Sequence, residues 1–113
     1  MNNLFNYVAA IKNDETHKIK KWECKSEELN EEDGVVTEIK EYDFFFHNGV
    51  VIKQSIEREI GEMDSDLVCQ ECFISYELIS EPTSLDIRPK RKNFINICQE
   101  SFWLKINKTH SLL

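Results

Sequence analysis

Glycine and proline are scarce, with three Gly and two Pro in 113 residues. So few breakers exclude a collagen-like or linker-rich chain, and each one present marks a turn or the end of an element. No apolar run approaches the ~20 residues that cross a bilayer as a helix, so no membrane partner is expected. A glycine-rich phosphate loop is missing, and without one backbone amides do not cradle a phosphate closely. There is no internal repeat and no low-complexity tract. The opening segment from Met1 to Lys12 lacks a basic start, and Asn6 interrupts its apolar run. It reads as mature protein, not as a signal peptide, which points to the cytoplasm. Cysteine is limited to Cys24, Cys69, Cys72 and Cys98, and a reducing compartment keeps such residues as thiols.

What is present is enough to build a core. Seven Phe, three Tyr and two Trp supply large side chains to bury, which argues against disorder. The length fits one domain over residues 1–113, with 107–113 read as a tail.

Charge is segregated. Residues 23–81 hold seventeen acidic side chains against four basic ones, whereas residues 82–113 hold six basic and two acidic. The whole chain carries a net charge of −7. Like charges gathered on one surface repel each other and steer basic partners inward.

The clearest structural unit runs from Val35 to Ile60. Asn48-Gly49 between apolar runs is a hairpin signal, because both residues tolerate positive φ. A two-residue loop would set Phe44 against Lys53 and oppose Glu38 with Glu59. A three-residue loop, with Gly49 as a bulge, pairs Phe44 with Ile52, Tyr42 with Gln54, Glu38 with Arg58 and Val36 with Ile60. Cross-strand pairs of matched character are each worth ~0.2–1 kcal/mol, so the second register is favoured. It leaves Phe45 and Val51 on the opposite face. Leu67–Ile79 reads as the next strand, ended at Pro82, and Leu85–Ile87 as a short edge strand. Phe94–Ile106 has β-like alternation, with a bulge or turn at Glu100-Ser101. His17–Cys24 reads as a strand, and residues 26–34 as an acidic loop or helical turn ended by Gly34. Leu4, Tyr7, Val8 and Ile11 have helical spacing with Asn2 or Asn3 as cap, and a strand over 4–12 is the alternative. The expected fold is mainly β: a single antiparallel sheet, or a small sandwich or half-barrel, of about six strands. One short N-terminal helix is optional, and α+β is the alternative class.

The candidate chemistry is thin. Cys69 and Cys72 form a C-x-x-C, but a zinc site needs two further ligands. A strand would point the two thiols to opposite faces, so structural thiols are the simpler reading. His17, His47 and His110 are far apart, and no nucleophile–histidine pair can be assigned without a fold. Catalytic, metal and cofactor roles are therefore given to no residue. Arg88, Lys90, Arg91 and Lys92 form a basic cluster able to touch phosphates. The acidic remainder of the chain repels nucleic acid, so this is read as a solvated loop.

The acidic residues Glu27, Glu28, Glu31, Glu32 and Asp33, and a second group Glu59, Glu62, Asp64 and Asp66, fall near the ends of neighbouring strands in the chosen register. Together with Phe45 they are the expected partner-binding surface, against the plain reading of charged edge protection. Size, acidity and the lack of catalytic motifs have the character of a bacterial immunity protein that blocks a basic toxin such as a nuclease. A phage-encoded inhibitor of a defence nuclease has the same character. The remaining alternative is a nucleic-acid or ligand-binding module using residues 88–92.

Overall fold

The computed structural model describes residues 3–13, 15–60 and 71–111, with the backbone alone at 60, 71 and 109–111. Helix α1 spans Leu4–Lys12. Five strands follow: β1 Ile19–Glu32, β2 Val35–Phe46, β3 Val51–Ile60, β4 Glu71–Ser80 and β5 Arg91–Asn96. Helix α2 spans Ile97–Ser111. The strands form a single antiparallel sheet in chain order, β1-β2-β3-β4-β5. The class is mainly β, as expected, with five strands and a second helix that the sequence pattern did not suggest.

The β2–β3 hairpin has the expected register. Phe44 pairs with Ile52, Tyr42 with Gln54, Glu38 with Arg58 and Val36 with Ile60. Gly49 adopts φ 94°, and the Phe46 N–H bonds the Val50 carbonyl at 2.9 Å across the turn. A Cβ at Gly49 would sit 3.2 Å from Pro82 Cγ, so the turn is also closely packed.

Three other segments depart from the expectation. Residues 26–34 are not a loop: β1 continues to Glu32 and turns back through Asp33-Gly34. Asp33 has φ 53° and Gly34 φ 81°, the paired positive values that a two-residue hairpin turn requires. Pairing with β2 overrides the weak strand propensity of Glu and Asn there. Leu85–Ile87 is not a strand, although Ile87 is fully buried and Asn3 bridges Arg88. Residues 97–106 are helix, not strand. The Asn96 side chain accepts the Gln99 N–H at 2.7 Å, and the Gln99 side chain accepts the Ile95 N–H at 2.9 Å. Asn96 thus caps the helix, and Gln99 reaches back one residue before the cap, a variant of the capping box. The supposed tail is helical through Ser111.

At the N-terminus the helical reading holds. The Asn3 side chain accepts the Phe5 N–H at 2.9 Å and caps α1, satisfying a donor that the first turn leaves free.

Both helices pack on one face of the sheet. Tyr7 of α1 meets Phe46 edge-on at 4.8 Å, and Trp103 of α2 meets Phe94 at 5.4 Å. Each such aromatic pair adds about 0.5–1.5 kcal/mol beyond area burial. Leu4, Val8, Ile52, Ile74 and Phe94 complete this core. Among the described residues no helix packs on the opposite face. The accessible surface is 7706 Å², against about 6,500 Å² for a compact chain of this size. No helix among the described residues is long and apolar enough to cross a membrane.

Candidate functional site

The Asp33-Gly34 turn makes β1 and β2 a long hairpin, and the register fixes where its carboxylates stand. Glu27 pairs with Lys40, Glu28 with Ile39, Glu31 with Val36 and Glu32 with Val35. Side chains alternate faces along a strand. Glu27 and Glu31 therefore share the helix-bearing side with exposed Leu29, while Glu28 and Glu32 share the bare side. On the next strand Glu59 pairs with Thr37, which places it on the bare side too. Six of the expected partner-binding residues, Glu27, Glu28, Glu31, Glu32, Asp33 and Glu59, thus gather at one end of the sheet, spread over both faces. Glu62, Asp64 and Asp66 lie outside the described residues.

The cations at this end are already engaged. Arg58 Nε donates to Glu38 Oε1 at 2.9 Å, and Lys40 Nζ lies 3.6 Å from Glu38 and 4.0 Å from Glu27. The Arg58 hydrogen bond holds the Glu38 carboxyl below its usual value. Glu28, Glu31, Glu32, Asp33, Glu57 and Glu59 have no ion pair among the described residues. Phe45 does not join this group. It stands nine positions along β2 from Val36, about 30 Å away at ~3.4 Å per residue. There its ring lies 4.7 Å under the Lys21 ammonium.

The basic cluster is internally neutralised. Arg88 pairs with Asp86 at 3.3 Å, Lys90 with Glu81 at 2.7 Å and Arg91 with Glu77 at 3.7 Å. Lys92 lies over the Phe94 ring at 5.6 Å. The Lys90 bond, followed by the Ile87 N–H, holds the Glu81 carboxyl below its usual value.

Of the cysteines, Cys24 is an exposed thiol and Cys72 a buried one, pushed up in pKa by its burial. Cys98 is disulfide-bonded. The four-thiol expectation fails at Cys98, and the argument from cysteine to a reducing compartment goes with it. No cluster of His, Cys, Asp and Glu able to hold a metal exists among the described residues.

Sequence reasoning missed a buried polar cluster. Glu100, on the first turns of α2, is 1% exposed. Its Oε2 accepts the Tyr76 hydroxyl at 2.7 Å, and that hydroxyl accepts Gln54 Nε2 at 3.0 Å. Lys12 Nζ at the end of α1 lies 3.1 Å from Glu100 Oε1. That contact is close enough for an ion pair, but its angle is too poor for a hydrogen bond. Burial first, then the Glu100 charge, pushes the Tyr76 hydroxyl far above the usual phenol value. Tyr76 is therefore a neutral donor locked onto a carboxylate. An open groove of about 260 Å³ runs alongside, bordered by Lys12, Tyr42, Cys72 and Ile97. The sequence signal was the helical spacing of Glu100, Trp103, Leu104 and Asn107.

On the bare face, Ile39, Glu57 and Phe73 lie in one cross-strand row. Ile95 follows Phe94 on β5, whose partner on β4 is Ile74, the neighbour of Phe73. These residues line a groove of about 510 Å³ together with Glu41, Ser55, Ser75, Arg91 and Asn93.

No family model, no curated protein and no solved structure matches this chain.

Proposed function

We propose that this protein is a small acidic binding protein that neutralises a basic partner protein by covering it, as an immunity protein covers a toxin nuclease. One observation carries the reading: the hairpin end gathers Glu27, Glu28, Glu31, Glu32 and Asp33 beside Glu59, while the nearby cations are tied to Glu38. A concentrated negative end attracts a positive protein over roughly a Debye length, ~8 Å at physiological salt, and raises its association rate. Inhibition then needs occlusion and no turnover.

The basic loop at residues 88–92 supports a nucleic-acid reading less well, since Arg88, Lys90 and Arg91 each face a carboxylate. A phage-encoded inhibitor of a defence nuclease would use the same surface, and only the partner's identity separates it from a bacterial immunity protein. An immunity protein meets its toxin in the cytoplasm of the cell that makes it, and we place the protein there on this reading.

The partner is identified by co-purification from the native host and mass spectrometry. Association is then followed by stopped flow. Changing Glu27, Glu28, Glu31 and Glu32 together to Lys is expected to slow association about tenfold or more at low salt, and the wild-type rate is expected to fall as salt rises. Equal rates for the folded variant and the wild type would refute the reading.

A further inference from the structure

We propose that the partner docks on the bare face of the sheet, at Ile39, Phe73 and Ile95. We further propose that the docked segment carries an arginine beside an aliphatic side chain. The inference rests on the acidic-binding reading above and adds to it a place and a chemistry.

An antiparallel sheet with one solvated face is expected to show polar side chains there. Glu57, Ser55, Ser75 and Asn93 follow that rule; Ile39, Phe73 and Ile95 break it. Phe73 is 48% and Ile95 54% exposed, and both line the same groove. The groove they share with Ile39 is open and shallow, more fitting to side chains of a partner protein than to an enclosed small molecule.

Charge complementarity names the occupant. Glu57 flanks Phe73 in the same row and Glu59 follows on the same face. With Thr37, Arg58 and Phe73 they line a niche of about 80 Å³. Arg58 is turned to Glu38, so Glu57 and Glu59 remain without a cation among the described residues. The other cations of this face are occupied: Lys53 lies 4.0 Å from Glu41, and Arg91 3.7 Å from Glu77. An arginine satisfies both demands at once. Its flat guanidinium stacks on an aromatic ring and forms paired hydrogen bonds with carboxylates. An aliphatic neighbour then packs against Ile95 in the same groove. A second copy of this chain is disfavoured, because it would bring another set of carboxylates against these.

The test uses two synthetic hexapeptides of equal charge, one alternating arginine with leucine and the other alternating lysine with glycine. Each is titrated into the ¹⁵N-labelled full chain. The arginine–leucine peptide is expected to shift the amides of Ile39, Glu57, Phe73 and Ile95, and to bind more tightly than the lysine–glycine peptide. Phe73→Ser, at an exposed site that spares the core, is expected to weaken it about tenfold. Shifts confined to residues 27–35 would overturn the docking face and leave the acidic-binding reading standing. Silence at the bare face, or binding indifferent to Phe73→Ser, would overturn the docking face as well. The association kinetics with the native partner judge the underlying reading separately.

Discussion

Replacing Tyr76 by phenylalanine tests how much the buried cluster holds. The change removes one oxygen and keeps the ring that packs edge-on to Phe94. Two bonds vanish with it. Glu100 loses its 2.7 Å donor, and Gln54 Nε2 loses its acceptor. A hydrogen bond to a charged group contributes about 1.5–3 kcal/mol, and a buried amide left without a partner costs about 1–3 kcal/mol. Because these overlap, the expected loss is about 3 kcal/mol, a large share of the 5–15 kcal/mol typical of a domain. With a urea slope of about 1.5 kcal/mol per molar, the unfolding midpoint should fall by about 2 M.

Glu100→Gln is the control. It keeps an oxygen for the Tyr76 hydroxyl and gives up only an ion pair to an ammonium that is 42% exposed, which is expected to cost about 1 kcal/mol or less. Because Glu100→Gln keeps the bond to Tyr76 and Tyr76→Phe keeps the contact with Lys12, the double variant should cost close to the sum of the two single losses. The cluster also has an alkaline signature. An unfolded tyrosine ionises near 10.0, whereas the folded Tyr76 resists ionisation to much higher pH. Its contribution is therefore complete below pH 10 and is lost as pH climbs beyond it. The gap between wild type and Tyr76→Phe should narrow there. Tyr76→Phe falling within about 0.5 kcal/mol of wild type would refute the account.

Gly49→Ala should destabilise the protein by about 1–2 kcal/mol in urea unfolding, because φ is 94° and the new Cβ meets Pro82 at 3.2 Å. At Gly34 a Cβ meets nothing within 4 Å, so Gly34→Ala should cost only the left-handed backbone, about 1 kcal/mol. Alkylation of protein taken directly from cells should label Cys24 at once and Cys72 only on unfolding. Label on Cys98 without prior reductant would contradict the disulfide and restore the cytoplasmic argument.

The β2–β3 hairpin was legible because Asn48-Gly49 announced the turn and only one register kept Phe44 and Ile52 on the same face. The end of β1 was not. Glu27 to Glu32 have low strand propensity, and their extension depends on β2, which local sequence does not reveal; only Asp33-Gly34 hinted at it. Helix α2 was hidden by coincidence. Phe102, Leu104 and Ile106 mimic alternation, while its inward positions include Glu100 and Asn107, polar residues that a sequence reader assigns to the surface. The acidic end could be inferred from one register pair, Val36 with Ile60. The distance of Phe45 from that end could not be read without placing both ends of β2. The bare face was invisible in sequence, because Ile39, Phe73 and Ile95 become neighbours only once β4 and β5 are paired and both helices lie behind them.

The meander has a consequence for how the chain matures. Each strand finds its mate in the next stretch to be synthesised, so the sheet can grow hairpin by hairpin with little loop to close. Helix α1 is the exception. It is made before any of the strands, yet the Leu4 N–H donates to the Arg88 carbonyl and Lys12 reaches Glu100. A helix made before the sheet is thus among the last elements to be fully seated, and until α2 arrives it rests on the strands alone, with Tyr7 against Phe46.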